Sequence, residues 1–177
     1  MDQLYGVRTI KKILKCFVED YTSTETSNFT KLNRKTVSRY YNIFRKISVL
    51  LIIKKLKLNP REKEFLGYIK GEYGPKGHFK VYKINKKTFL CLQVKEKPNN
   101  AISALHDKDF NKFLGFLYKR FSKFYGLTGQ VYYYQLFESV LKYNYTEEGL
   151  FNIIWEHFAK KPKVIYALYK KGGDSLN

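Results

Sequence analysis

The stretch Leu32 to Lys46 reads LNRKTVSRYYNIFRK and decides how the N-terminal part of the chain is understood. Val37, Tyr40, Tyr41 and Phe44 recur at helical spacing, and Ile47 and Leu51 continue the pattern, so one long helix with a buried stripe is predicted. Asn33 stands just ahead of it as a good N-cap. Arg34, Lys35, Ser38, Arg39, Asn42 and Arg45, with Lys46, fall on the other side and are expected to face solvent.

Upstream, Ile10, Ile13, Leu14 and Phe17 mark one face of a first helix over Thr9 to Asp20. TSTE at 22–25 has the capping-box form, with Thr22 three residues before Glu25, and starts a short second helix through about Phe29. A tight turn at Lys31 and Leu32 then leads into the third helix. Three helices with so short a turn before the last predict a helix-turn-helix over residues 1–58.

The chain's 177 residues carry a formal net charge of +19, a field that favours polyanions, nucleic acid before an acidic membrane surface. Lysine excess says less than its size suggests, because Lys, Asn, Ile, Tyr and Phe are all abundant, as an AT-rich coding sequence would give. Arginine is more informative. The chain has Arg8, Arg34, Arg39, Arg45, Arg61 and Arg120, and half of these fall in the opening stretch. Arginine binds phosphates or pairs bidentately with guanine, and Asn or Ser can read neighbouring base edges, so this face is a candidate for double-stranded DNA. A solvated basic face on a plain helical hairpin is the alternative.

Cys16 and Cys91 are far apart in sequence, with no Cys-x-x-Cys and no nearby His pair, which argues against both a disulfide framework and a structural zinc site. No apolar leader opens the chain, and Val49 to Ile53 is too short to span a bilayer. A chain in a reducing cytosol, without membrane attachment, is expected.

Downstream, KKLKLNPREKEF reads as a connector, giving a linker over 59–75. His78 to Ile84 and Thr88 to Val94 flank the turn-prone Asn85-Lys86-Lys87 and predict a β-hairpin. The glycines at 71, 74 and 77 match no phosphate-binding loop. From Lys108, Phe110, Phe113, Leu114, Leu117, Phe121 and Phe124 form a helical stripe. Further helices are predicted over Gln130 to Tyr145 and, capped by Thr146, over Glu147 to about Lys160. Tyr132 to Tyr134 could stack on bases, but their spacing fits a core with a hydroxyl-tipped rim.

Three pieces of the chain resemble bacterial insertion-sequence transposases that join an N-terminal helix-turn-helix to an RNase-H-like catalytic domain. LNRKTVSRYYNIFRKI is similar to that family's Leu-x-Arg-x-Thr-Val-x-Arg-Tyr run, which leads into Phe-Arg. HFKVYKINKKTFLCLQV resembles its first two catalytic-domain strands, and FNKFLGFLYKRFSKFYGLTGQVYYYQLFESVLKYNY its C-terminal end, with the order basic segment, Lys-Phe-x-Gly-Leu and helix. The resemblance spans roughly two thirds of the chain. It implies an α+β protein, a helix-turn-helix bundle followed over 76–177 by a reduced RNase-H-like part of β-hairpin and C-terminal helices.

The family's chemistry needs Asp, Asp and Glu or Asn holding two Mg²⁺ ions for in-line attack on phosphorus. On this chain the resemblance places the third position at Asn111, with His106 ahead of it, and the first at Gly71, beside Glu72. Between the hairpin and His106 stands only KEKPNNAISAL, where a strand ending in aspartate should lie. Asp107 and Asp109 are the nearest carboxylates and read as helix-start residues.

The resemblance thus implies a transposase-related DNA-binding protein, shortened within its catalytic domain, recognising insertion-sequence DNA through Arg34 to Arg45. Its implied setting is the bacterial cytoplasm, near the nucleoid. An active enzyme with Mg²⁺ on Glu72, Asp107 or Asp109, and Asn111 is one alternative. A regulator that acts as a homo-oligomer or on a full-length transposase is another, and a general RNA-binding basic protein a third.

Overall fold

A computed structural model of the chain describes residues 5–58, 64–70, 78–85, 88–94, 108–122 and 129–160. Among these, helix dominates. The elements are α1 (Val7–Val18), α2 (Ser23–Thr30), α3 (Arg34–Leu58), β1 (Glu64–Lys70), β2 (His78–Asn85), β3 (Thr88–Val94), α4 (Lys108–Phe121), α5 (Gly129–Asn144) and α6 (Glu147–Lys160). The chain divides into two compact units, one holding residues 1–47 and 145–177, the other 48–144.

In the first unit α1 packs on α2 and α6. Its apolar face buries Ile10, Ile13, Leu14 and Phe17, and the same unit buries Val37, Tyr41, Phe44 and Ile47 of α3 and Leu150, Ile154 and Phe158 of α6. Aromatic rings set its geometry: Phe17 lies edge-on to Tyr41 at 5.1 Å between centroids, and Phe44 edge-on to Phe158 at 6.2 Å. α1 closes with Asp20 in the left-handed region (φ 65°), where the Tyr21 N–H reaches the Cys16 carbonyl at 3.0 Å. Cys16 is a buried free cysteine. Burial, the larger influence, raises its thiol above the ordinary value, while a hydrogen bond with Thr26 pulls the other way.

The second unit is a three-stranded antiparallel meander, in order β1-β2-β3, with α4 and α5. Val81 pairs Cys91 and Lys83 pairs Phe89 across β2 and β3. Phe79 and Val81 alternate with half-buried Lys80 and Tyr82, the period of two that buries one face. Phe89 stacks on Phe113 at 4.8 Å, and Tyr143 meets both rings edge-on. Asn144, at the end of α5, accepts from the Phe89 N–H at 2.9 Å and donates to the Phe89 carbonyl at 2.6 Å, standing in for a fourth strand at that residue.

The expected α+β class with a reduced RNase-H-like part is corrected. Such a sheet continues from its antiparallel strands into a parallel one through a helical crossover. Among the described residues, which are mostly helical, every strand pairing is antiparallel between neighbours in sequence, and after β3 they are helical apart from short turns. The hairpin is present as read, and β1 joins it from within the stretch taken as a linker.

Candidate nucleic-acid interface

The α2–α3 junction is built locally. Thr22 caps α2: its hydroxyl accepts from the Glu25 N–H at 3.2 Å, and the Glu25 carboxylate accepts from the Thr22 N–H at 2.7 Å. That second bond, above all, holds the Glu25 carboxyl below its ordinary value. α2 ends at Lys31, a non-glycine residue in the left-handed region (φ 59°). The Ser27 hydroxyl donates to the Leu32 carbonyl at 2.6 Å and pins the turn. Asn33 then opens α3, its side-chain oxygen accepting from the Lys35 N–H at 2.8 Å.

One buried contact ties α2 to α3. The Tyr41 hydroxyl donates to the Tyr21 carbonyl at 2.9 Å, which leaves its oxygen to accept from the fully buried Thr26 hydroxyl at 2.6 Å. The packed side of α3 is thereby fixed to α2, which leaves its outer face to solvent.

On that face Arg34, Lys35 and Asn42 are exposed, and Ser38, Arg39, Arg45 and Lys46 half-buried. At ~100° per residue these side chains share an arc of roughly 140°, opposite buried Val37, Tyr40, Phe44 and Ile47. Arg45 is partly engaged at home: its guanidinium donates to the Asn42 side-chain oxygen at 3.2 Å and lies 5.8 Å from the centre of the Tyr41 ring. The basic stripe ends at Val49, where burial returns.

Two residues at the junction, read from sequence only as the end of the second helix and the turn after it, were not among the expected site residues. Phe29, the apolar residue of α2, is 72 % exposed just before the turn, and Lys31 occupies the turn itself. Phe29's spacing gave the signal, since α2 has no second apolar residue to form a stripe with it.

The expected metal-facing residues fare differently. Glu72 and Asp107, with Gly71 and His106, lie outside the described residues. Asp109 is in the first turn of α4 and pairs with Lys83 at 4.0 Å and Lys112 at 3.9 Å. Asn111 is exposed on the same helix, two positions on, a spacing that points the two side chains in different directions. Among the described residues no group of three His, Cys, Asp or Glu could hold a metal ion. None of their helices is long and apolar enough to cross a membrane.

No family model, curated protein or solved structure matches the chain.

Proposed function

We propose that the first unit binds double-stranded DNA, with the N-terminal half of α3 in the major groove. The observation that carries this reading is the outer face of α3: the cations from Arg34 to Lys46, with the Ser38 hydroxyl and the Asn42 amide, gathered opposite the core on a helix entered by a short pinned turn. Arg34 and Lys35 sit at the positive end of the helix and suit phosphate oxygens. Ser38, Arg39 and Asn42, further along, suit base edges. The further step, that the chain is transposase-related and the duplex an insertion-sequence end, rests on likeness of sequence, that of LNRKTVSRYYNIFRKI and of the Lys-Phe-x-Gly-Leu stretch above all.

Fluorescence anisotropy at one fixed salt concentration tests both steps. Insertion-sequence ends, random duplex and single-stranded RNA are compared as labelled probes. Tighter binding to duplex than to RNA supports the first step, and preference among duplexes supports the second. Equal binding to all three contradicts groove recognition and favours a general basic protein.

A further inference from the structure

The first unit has a second cationic strip that the α3 reading leaves unused. Arg8, Lys11, Lys12 and Lys15 are exposed at i, i+3, i+4 and i+7 along α1, on the side away from buried Ile10, Ile13, Leu14 and Phe17. Lys15 has Glu19 at 3.8 Å, a solvent-exposed pair that contributes little. Arg8 and Lys12 have no acidic partner among the described residues. Of the acids among the first unit's described residues, Glu19 and Asp20 lie at the opposite end of α1 and Glu25 in the α2 cap, while Glu147 and Glu148 open α6 and Glu156 pairs with Lys160 at 3.9 Å.

The strip is roughly 10 Å long at ~1.5 Å per residue, room for about three phosphates of one strand at ~3.4 Å along the axis. Beside it on α6 stands half-buried Trp155, the chain's one tryptophan, with the Lys11 ammonium 4.9 Å from its ring centre. An indole under a lysine joins an aromatic plane to a line of charge, and it reports on anything that draws Lys11 away.

We infer that the α1 strip, with Trp155 beside it, is a second DNA contact of the first unit, gripping the phosphate backbone without reading sequence. The inference rests on the duplex-binding reading and extends it. α3 supplies base preference in this arrangement, and α1 supplies salt-dependent affinity that is the same for every duplex.

The test uses the full chain. Duplex affinity is measured by anisotropy over a range of salt for the wild type and for Arg8→Gln/Lys12→Gln/Lys15→Gln, with Trp155 emission followed in the same titrations. Each lost phosphate contact lowers the slope of log affinity against log salt by about 0.9, so the triple variant should lose roughly 2–3 units of slope. The Trp155 response to duplex should shrink with it. Arg8→Lys/Lys12→Arg/Lys15→Arg should keep both. Lys108→Gln/Lys112→Gln/Lys119→Gln, which removes the same charge from exposed positions of α4, should leave the slope unchanged.

An unchanged slope in the α1 variant overturns the inference, as does an equal fall in the α4 variant, while the duplex-binding reading survives either result. A Trp155 response to anionic phospholipid vesicles but not to duplex overturns it too. Failure of the wild type to bind duplex at low salt removes the reading beneath it as well.

Discussion

The Tyr41 hydroxyl bridges the Tyr21 carbonyl and the Thr26 hydroxyl, at 2.9 Å and 2.6 Å, and so joins α3 to α2 and to the segment before it through one side-chain oxygen. Thr26 is fully buried, and its hydroxyl has the Tyr41 hydroxyl and the Cys16 thiol as polar neighbours. Tyr41→Phe should lower unfolding free energy by about 1–2 kcal/mol, because the Tyr21 carbonyl loses its donor and the threonine hydroxyl is left with the thiol, a weaker partner. Tyr41→Phe with Thr26→Val should cost less than the two single changes added together. Urea denaturation of the four proteins measures this.

Lys31 holds a left-handed conformation at the end of α2 without being glycine. Lys31→Gly relieves that strain but loosens the unfolded chain, a balance expected to stabilise by roughly 0.5 kcal/mol. The same change removes a cation from the α2–α3 turn. Thermal unfolding should therefore shift upward while affinity for duplex falls.

Glu138 is buried between Arg120 at 3.1 Å and Lys142 at 3.0 Å. Arg120 also donates to the Ser139 hydroxyl at 2.9 Å, so the carboxylate sits inside a larger network. Removing it leaves two buried cations facing each other, and Glu138→Ala should destabilise by about 3–5 kcal/mol. Calorimetry of the variant at neutral pH checks the magnitude.

The capping box gives a pH dependence with a defined sign. The Thr22 N–H holds the Glu25 carboxyl below its ordinary value, so the folded state favours the ionised form. That stabilisation is complete above the carboxyl's unfolded value and is lost as pH falls through the lowered folded one. Melting temperature measured downward from neutral pH should fall less steeply for Glu25→Gln than for the wild type. Thr22→Ala, which removes the cap itself, should cost about 1 kcal/mol at neutral pH.

The helices of 7–58 are legible in sequence because each carries a local signal: the Ile10–Phe17 stripe, the Thr22–Glu25 box and Asn33 ahead of Val37. The sequence reading broke down where the deciding interactions are not local. Lys54, Lys55 and Lys57 read as a connector, yet charge does not break a helix, and α3 runs on to Leu58, two residues before Pro60. β1 hid in EFLGYIK because Gly67 interrupts its pattern, and the register of β1 on β2 shifts between Phe65 and Gly67. The larger RNase-H-like expectation came from a resemblance of short stretches, and the hairpin among them encodes one antiparallel pairing and says nothing about a parallel crossover.

The same limit applies to the candidate interface. Helical spacing gives the side of α3 on which Arg45 lies, but not that its guanidinium turns back to Asn42 and Tyr41. Nor does any pattern announce Asn144 bonding Phe89, a contact between residues 55 positions apart. Side and periodicity are local properties, while engagement depends on what the fold brings alongside.

The outward side of α3 is tested most directly by measuring Arg39→Ala against the wild type on a panel of duplexes differing at single base pairs, with salt held fixed. The account predicts a loss of about 1–3 kcal/mol on the preferred duplex and a much smaller one on the others, so that base preference flattens. Equal loss on every duplex, or none on any, would contradict it.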